Sequence, residues 1–182
     1  MVAFLRAVNV GGRTVKSPQL VRSFTSLGME NVTTFLASGN VLYDGSNRDV
    51  PKQKGRIESR LLEDLGFKTE VILRCIDEVE LIAERNAFEL TELEKANYTV
   101  NVALFSESPP LAMQKEVLKL KSEYDDFMFD KREMYWLCRG SKISTSLVFS
   151  KNSLAKAMPA VNTMRNLRTM QRLVVLHYKT KK

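Results

Sequence analysis

Apolar residues follow two spacings along the chain, and the switches between them predict the order of elements. "VAFLRAV" at residues 2–8 is apolar on both pleat faces, which predicts a central strand covered on both sides. "SPQLVRSFTSLG" changes to helical spacing: Leu20, Phe24 and Leu27 share a face, Ser17 can cap the start, Pro18 suits the first turn and Gly28 the exit. "VTTFLAS" and "NVLYDG" read as two short strands turning around Ser38-Gly39-Asn40. Ile57, Leu61 and Leu65 recur at four-residue steps in a second helix that Gly66 ends, and "TEVILRC" alternates as a strand. The order β-α-β-β-α-β predicts an α+β fold with a ferredoxin-like subdomain over residues 1–75, an antiparallel sheet carrying both helices on one face.

Residues 76–182 predict a second, smaller α+β subdomain packed against the first. A helix, "IDEVELIAERN", leads into the strand "YTVNVALF", and Ser108-Pro109 opens another helix with Met113, Val117 and Leu120 on one side. "DFMFD" and "EMYWLC" predict a hairpin turning at Lys131-Arg132. The polar run "RGSKISTS" precedes a short helix stopped by Pro159. Thr163 is then expected to cap the last helix, which places Arg165 and Asn166 in its first turn. Leu167, Met170, Leu173, Val174 and Leu176 form that helix's apolar stripe.

Charge changes the picture because it is uneven. Residues 76–133 hold 14 acids against seven bases, whereas residues 134–182 hold ten bases and no acid. The net charge of +7 therefore concentrates in a basic C-terminal third, a surface suited to phosphate groups in a nucleotide or a nucleic acid. No apolar run reaches the length of a membrane span, and the N-terminus lacks a basic region ahead of its apolar stretch, so a cytoplasmic protein with no membrane partner is expected. Cys75 and Cys138 read as buried free thiols, and a single histidine, His177, argues against a Cys/His metal site. Neither a metal nor a cofactor is expected.

Several polar positions are candidates for chemistry. Arg6 interrupts the first apolar run and needs a carboxylate, carbonyls or a bound anion if it is covered. Asn9 and the pair Gly11-Gly12 follow it; the glycines fit a strand exit at positive φ, and their backbone amides could also face an anion. "NVGGRTVKS" matches neither the P-loop nor the dinucleotide-binding fingerprint. Ser38, Gly39 and Asn40 form a small polar corner. Lys142 sits among the hydroxyls of Ser141, Ser144, Thr145 and Ser146, a combination that suits phosphate oxygens. Arg165 and Asn166 at a helix start would face an anion favoured by the helix dipole. Ser153 and Lys156 match S-x-x-K without its companion motifs, and Ser153 fits a helix cap instead. No acid/base pair or Ser-His-Asp set stands out, and whether the protein is an enzyme stays open.

"LRAVNVGG", "FLASGNVLYD", "NAF" at 86–88, "YWLCRGSKIS" and "TMRNLRTMQRL" occur in that order, and together they resemble the bacterial family called domain of unknown function 1697. The resemblance implies two α+β subdomains, the first ferredoxin-like. It supplies no catalytic residues, because the family has no established activity. It does imply a shared polar set: Arg6, Asn9, Gly11, Gly12, Ser38, Gly39, Asn40, Arg165, Asn166 and Thr169. This chain departs from the family pattern at Ala7, where glycine is usual, at Ala87, where proline is usual, and at Leu167, where tryptophan is usual. The expectation is an anionic small molecule, phosphorylated or nucleotide-like, bound between the two subdomains by Arg6, Asn9, Gly11, Gly12, Ser38, Gly39, Asn40, Lys142, Arg165 and Asn166. A nucleic-acid-binding module using the basic C-terminal third is the alternative, and the oligomeric state is open.

Overall fold

The computed structural model describes residues 1–9, 11–12, 14–37, 39–139, 146, 148 and 152–180. It is a mixed α+β structure with two four-stranded antiparallel sheets. Two compact units are formed, Met1–Leu81 together with Arg172–Lys182, and Ile82–Gln171. The chain's last segment thus belongs with the first unit. No helix of the described residues is long and apolar enough to cross a membrane.

In the first unit β1 (Val2–Leu5), β2 (Glu30–Phe35), β3 (Asn40–Asp44) and β4 (Val71–Arg74) take the order β2-β3-β1-β4. Helices α1 (Ser17–Thr25) and α2 (Val50–Leu65) connect them. The period-2 face formed by Ala3, Leu5, Val41, Tyr43, Val71 and Leu73 packs on Leu20 and Phe24 of α1 and Ile57 and Leu61 of α2. Burying a side chain such as Phe24, fully covered, contributes about 1.5–3 kcal/mol before entropy is counted. The opposite face, with Val2, Phe4, Leu42 and Ile72, is buried as well, in line with a doubly covered strand. Helix α1 begins one residue earlier than Ser17 as its cap would require: Lys16 is the capping residue, its backbone N–H donating to Gln19 Oε1 at 3.0 Å.

In the second unit β5 (Thr99–Phe105), β6 (Asp125–Asp130), β7 (Glu133–Cys138) and β8 (Asn162–Asn166) take the order β6-β7-β5-β8, the same arrangement as the first sheet. Ala103, Phe105, Phe127, Met134 and Trp136 pack on Met113 and Val117 of α5 (Leu111–Leu118) and on Leu154 of α6 (Ser153–Ala157). The expected hairpin is present, with Lys131 at φ 51° in its two-residue turn. Helix α3 (Ile76–Glu84) precedes α4 (Glu92–Asn97), a helix the periodicity did not predict; Thr91 and Glu94 form its capping box. The last helix, α7 (Leu167–Thr180), starts in the second unit and ends in the first, where Arg172 lies 5.0 Å over the Phe35 ring.

Strand register makes the two sheets equivalent position by position. Ala3 pairs with Val41 and Leu73, and Ala103 with Met134 and Met164. One step along, Val2 faces Arg74 and Val102 faces Arg165, so each sheet buries one arginine at the same place in its last strand. In each chain segment a helix begins two residues after that arginine.

Candidate anion-binding site

The first unit gathers six of the expected residues at one end of its sheet. Strand β1 stops at Leu5 because Ala7 turns the chain at φ 55°. Arg6 is consequently not covered on both faces: its side chain is 48 % exposed and donates to Glu70 at 2.6 Å. The partner that its position demands is a carboxylate of the same unit. Asn9 staples the loop, its amide donating to the Ala37 carbonyl at 2.5 Å while its oxygen accepts from Val15 N–H at 2.6 Å. Gly11 and Gly12 have φ 63° and 81° with open space where a Cβ would stand, so left-handed backbone is what requires glycine there. Gly39 adds a close approach: a Cβ would lie 2.5 Å from Val8 Cγ2. Asn40 is fully buried in β3 and donates to the Phe35 carbonyl at 2.7 Å. Each of these side chains is engaged in holding the corner together. Ser38 and Lys142 lie outside the described residues.

Arg165 and Asn166 are placed differently from expectation. Residues 162–166 are not the first turn of a helix but strand β8, paired with β5, and Thr163 is not a cap. Thr163 and Arg165 are the two buried residues of β8, two apart on one pleat face. The Arg165 guanidinium donates to Thr163 Oγ1 at 2.8 Å and to the Met164 carbonyl at 2.9 Å. Burial lowers its pKa to about 10, which still leaves it charged at neutral pH. Asn166 is the cap, its side-chain oxygen accepting from the Arg168 N–H at 2.8 Å.

The start of α7 opens on a cavity of about 660 Å³ within the second unit. Its walls come from residues 83–88 and Leu90, from Lys95 and residues 97–100, and from Asn166, Leu167, Arg168 and Gln171. Arg85, Lys95 and Arg168 bring three cations to it against one acid, Glu84. Arg85 is held by Asp130 at 3.0 Å and Lys95 by Glu92 at 2.6 Å. Arg168 donates to the Lys95 carbonyl at 3.2 Å and, among the described residues, pairs with no carboxylate. Of the expected site residues that are described, only Asn166 lines this cavity; Arg165, its neighbour, does not. Asn86, Ala87 and Phe88 of the "NAF" motif and Leu167 do.

Three features of the structure were not read from the sequence. Arg74 is 1 % exposed and donates to the Leu73 carbonyl at 2.9 Å. Asp125, 2 % exposed, accepts from Trp136 Nε1 at 2.8 Å and from Ser146 Oγ at 3.0 Å, which satisfies a buried carboxylate within the second core. The cavity's cation Lys95 belongs to α4, which the motif Thr91-x-x-Glu94 could have revealed.

The family model described as protein of unknown function (DUF1697) matches residues 1–135. This segment includes the "NAF" wall of the cavity and ends before the start of α7. Among solved structures, the chain is similar to the conserved bacterial protein SP0830 from Streptococcus pneumoniae, with 20 % identity, a TM-score of 0.67 and 95 % of each chain covered. At that identity the likeness shows the fold. No curated protein matches the sequence.

Proposed function

We propose that this chain, which belongs to the DUF1697 family, binds an anionic small molecule, phosphorylated or nucleotide-like, in the cavity of its second unit. The observation that carries the reading is Arg168, an exposed cation in the first turn of α7 with no carboxylate partner among the described residues. A cation there is disfavoured by about 0.3–1 kcal/mol in isolation, because the helix start already carries positive partial charge. An anion in the cavity reverses that balance: it meets Arg168, the positive end of the helix dipole and the cations Lys95 and Arg85 together.

The residues of the first unit take a supporting part in this reading. Arg6 is neutralised by Glu70, and Asn9, Gly39 and Asn40 hold backbone. The order β2-β3-β1-β4 with α1 and α2 on one face supports the ferredoxin-like description of that unit.

Calorimetric titration with ribose 5-phosphate and with inorganic pyrophosphate tests the reading. Saturable binding is expected, weakened about tenfold or more by Arg168→Ala, the effect of removing one charge-assisted hydrogen bond. An absence of binding at millimolar ligand, or binding untouched by Arg168→Ala, would overturn it. Single-stranded RNA binding that falls steeply with salt and ignores Arg168 would favour the nucleic-acid reading instead.

A further inference from the structure

We propose that the ligand of this cavity is a nucleoside monophosphate, with its base as well as its phosphate held by the protein. This inference rests on the anion-binding reading above and adds a second recognition element to it. A volume of about 660 Å³ is much more than a phosphate group needs, and it falls in the range of pockets that enclose whole metabolites. The lining also includes Asn86, Asn97 and Tyr98, which beside three cations are more polar and aromatic groups than one phosphate uses. A carboxamide presents a donor and an acceptor at fixed spacing, which matches the paired donor and acceptor on a base edge. An aromatic ring offers a face on which any base can stack.

The walls are fixed relative to one another inside the unit. Arg168 donates to the Lys95 carbonyl at 3.2 Å, and Gln171 donates to the Ala83 carbonyl at 3.4 Å. The first contact joins α7 to α4 on the cationic wall; the second joins α7 to the chain leading to Asn86. The phosphate is assigned to the start of α7 beside Arg168, and the base to Asn86, Asn97 and Tyr98.

The test compares dissociation constants for AMP, GMP, CMP and UMP with those for ribose 5-phosphate and adenosine on the intact chain. At least one nucleotide is expected to bind about tenfold or more tightly than ribose 5-phosphate, the range given by stacking one base. Asn86→Ala, on an exposed side chain, should shrink that difference and leave ribose 5-phosphate binding unchanged. If ribose 5-phosphate binds as tightly as every nucleotide, the base assignment is overturned while the anion reading stands. If none of the phosphorylated probes binds, both fall. Adenosine binding as tightly as AMP would remove the phosphate from the account and overturn both as well.

Discussion

The two units share a frame and differ at one equivalent point, the helix start that follows the buried arginine. In the first unit Arg74, Cys75 and Ile76 lead into α3, whose first turn carries Asp77 and Glu78. Glu78 accepts from the Cys75 N–H at 2.9 Å, so the positive end of the helix is met by its own carboxylate. In the second unit Arg165, Asn166 and Leu167 lead into α7, whose first turn has no acid and contains Arg168. Here the neutral amide of Asn166 makes the cap, and a cavity stands in front of the helix. One backbone arrangement is thus closed by charge in one unit and left positive in the other. The lesson is that a shared frame does not carry charge evenly: the polar residues of the first unit's corner hold backbone and one another, and on the proposed reading the second unit's Arg168 is the cation that meets a ligand.

The largest expected effect tests whether the first unit's polar corner is structural. Gly39→Ala places a methyl group against Val8 at positive φ and should cost about 2–4 kcal/mol in denaturant unfolding, whereas Gly11→Ala meets open space and should cost about 1–2 kcal/mol. Equal costs would break the distinction between close approach and backbone conformation. Next come the aromatic residues that occupy matching places in the two cores. Trp136→Phe strips a partner from the buried Asp125 carboxylate and should cost about 1–3 kcal/mol. Tyr43→Phe loses only a 3.3 Å bond to the half-buried Gln53 and should cost about 0.5–1 kcal/mol. A reversed order in unfolding free energy would show that the cores are not buttressed as described.

Alkaline pH supplies a third comparison. Burial pushes the Tyr43 phenol up to about 12 from its ordinary 10, and burial beside Glu133 and Asp130 also raises Tyr135. The unfolded chain then loses these protons first, so stability should fall as pH rises from about 10 towards 12. Tyr43→Phe and Tyr135→Phe should each flatten part of that fall in urea titrations run at pH 9 and pH 11; a fall unchanged in both variants would contradict the burial of these phenols. The smallest effect belongs to Arg6→Ala. It breaks an ion pair whose arginine is half exposed, and stability should change by less than about 1 kcal/mol, with sugar-phosphate binding unaltered.

Periodicity made most of the frame legible. The doubly apolar run at the N-terminus, the four-residue steps of α2 and the two-residue hairpin at Lys131 each have one physical reading, and the structure shows it. Strand β8 was misread because its buried face consists of Thr163 and Arg165, polar residues whose alternation carries no hydrophobic signal. The same residues resemble a helix cap when only local chemistry is weighed. Arg6 was misjudged for a related reason: apolar neighbours on both sides suggested cover, but the positive φ of Ala7 ends the strand before it. Of the cavity's residues, Asn166 was named from its residue type, but as part of a helix's first turn, whereas it ends β8 and caps the helix. Arg85 and Lys95 were not named, because the cavity brings them to Arg168 across more than 70 residues of chain, a proximity that spacing does not encode. Ala7, standing at φ 55° where the family usually has glycine, shows that a departure from pattern can be tolerated at modest strain.

The most direct test of the account is a titration of the isotopically labelled protein with ribose 5-phosphate, followed by amide chemical shifts. The account predicts that the perturbed amides cluster at residues 84–100 and 166–171, around Arg168, with Gly11, Gly12 and Gly39 unmoved. Shifts centred on Gly11, Gly12 and Gly39, with the start of α7 silent, would contradict it and return the anion site to the first unit.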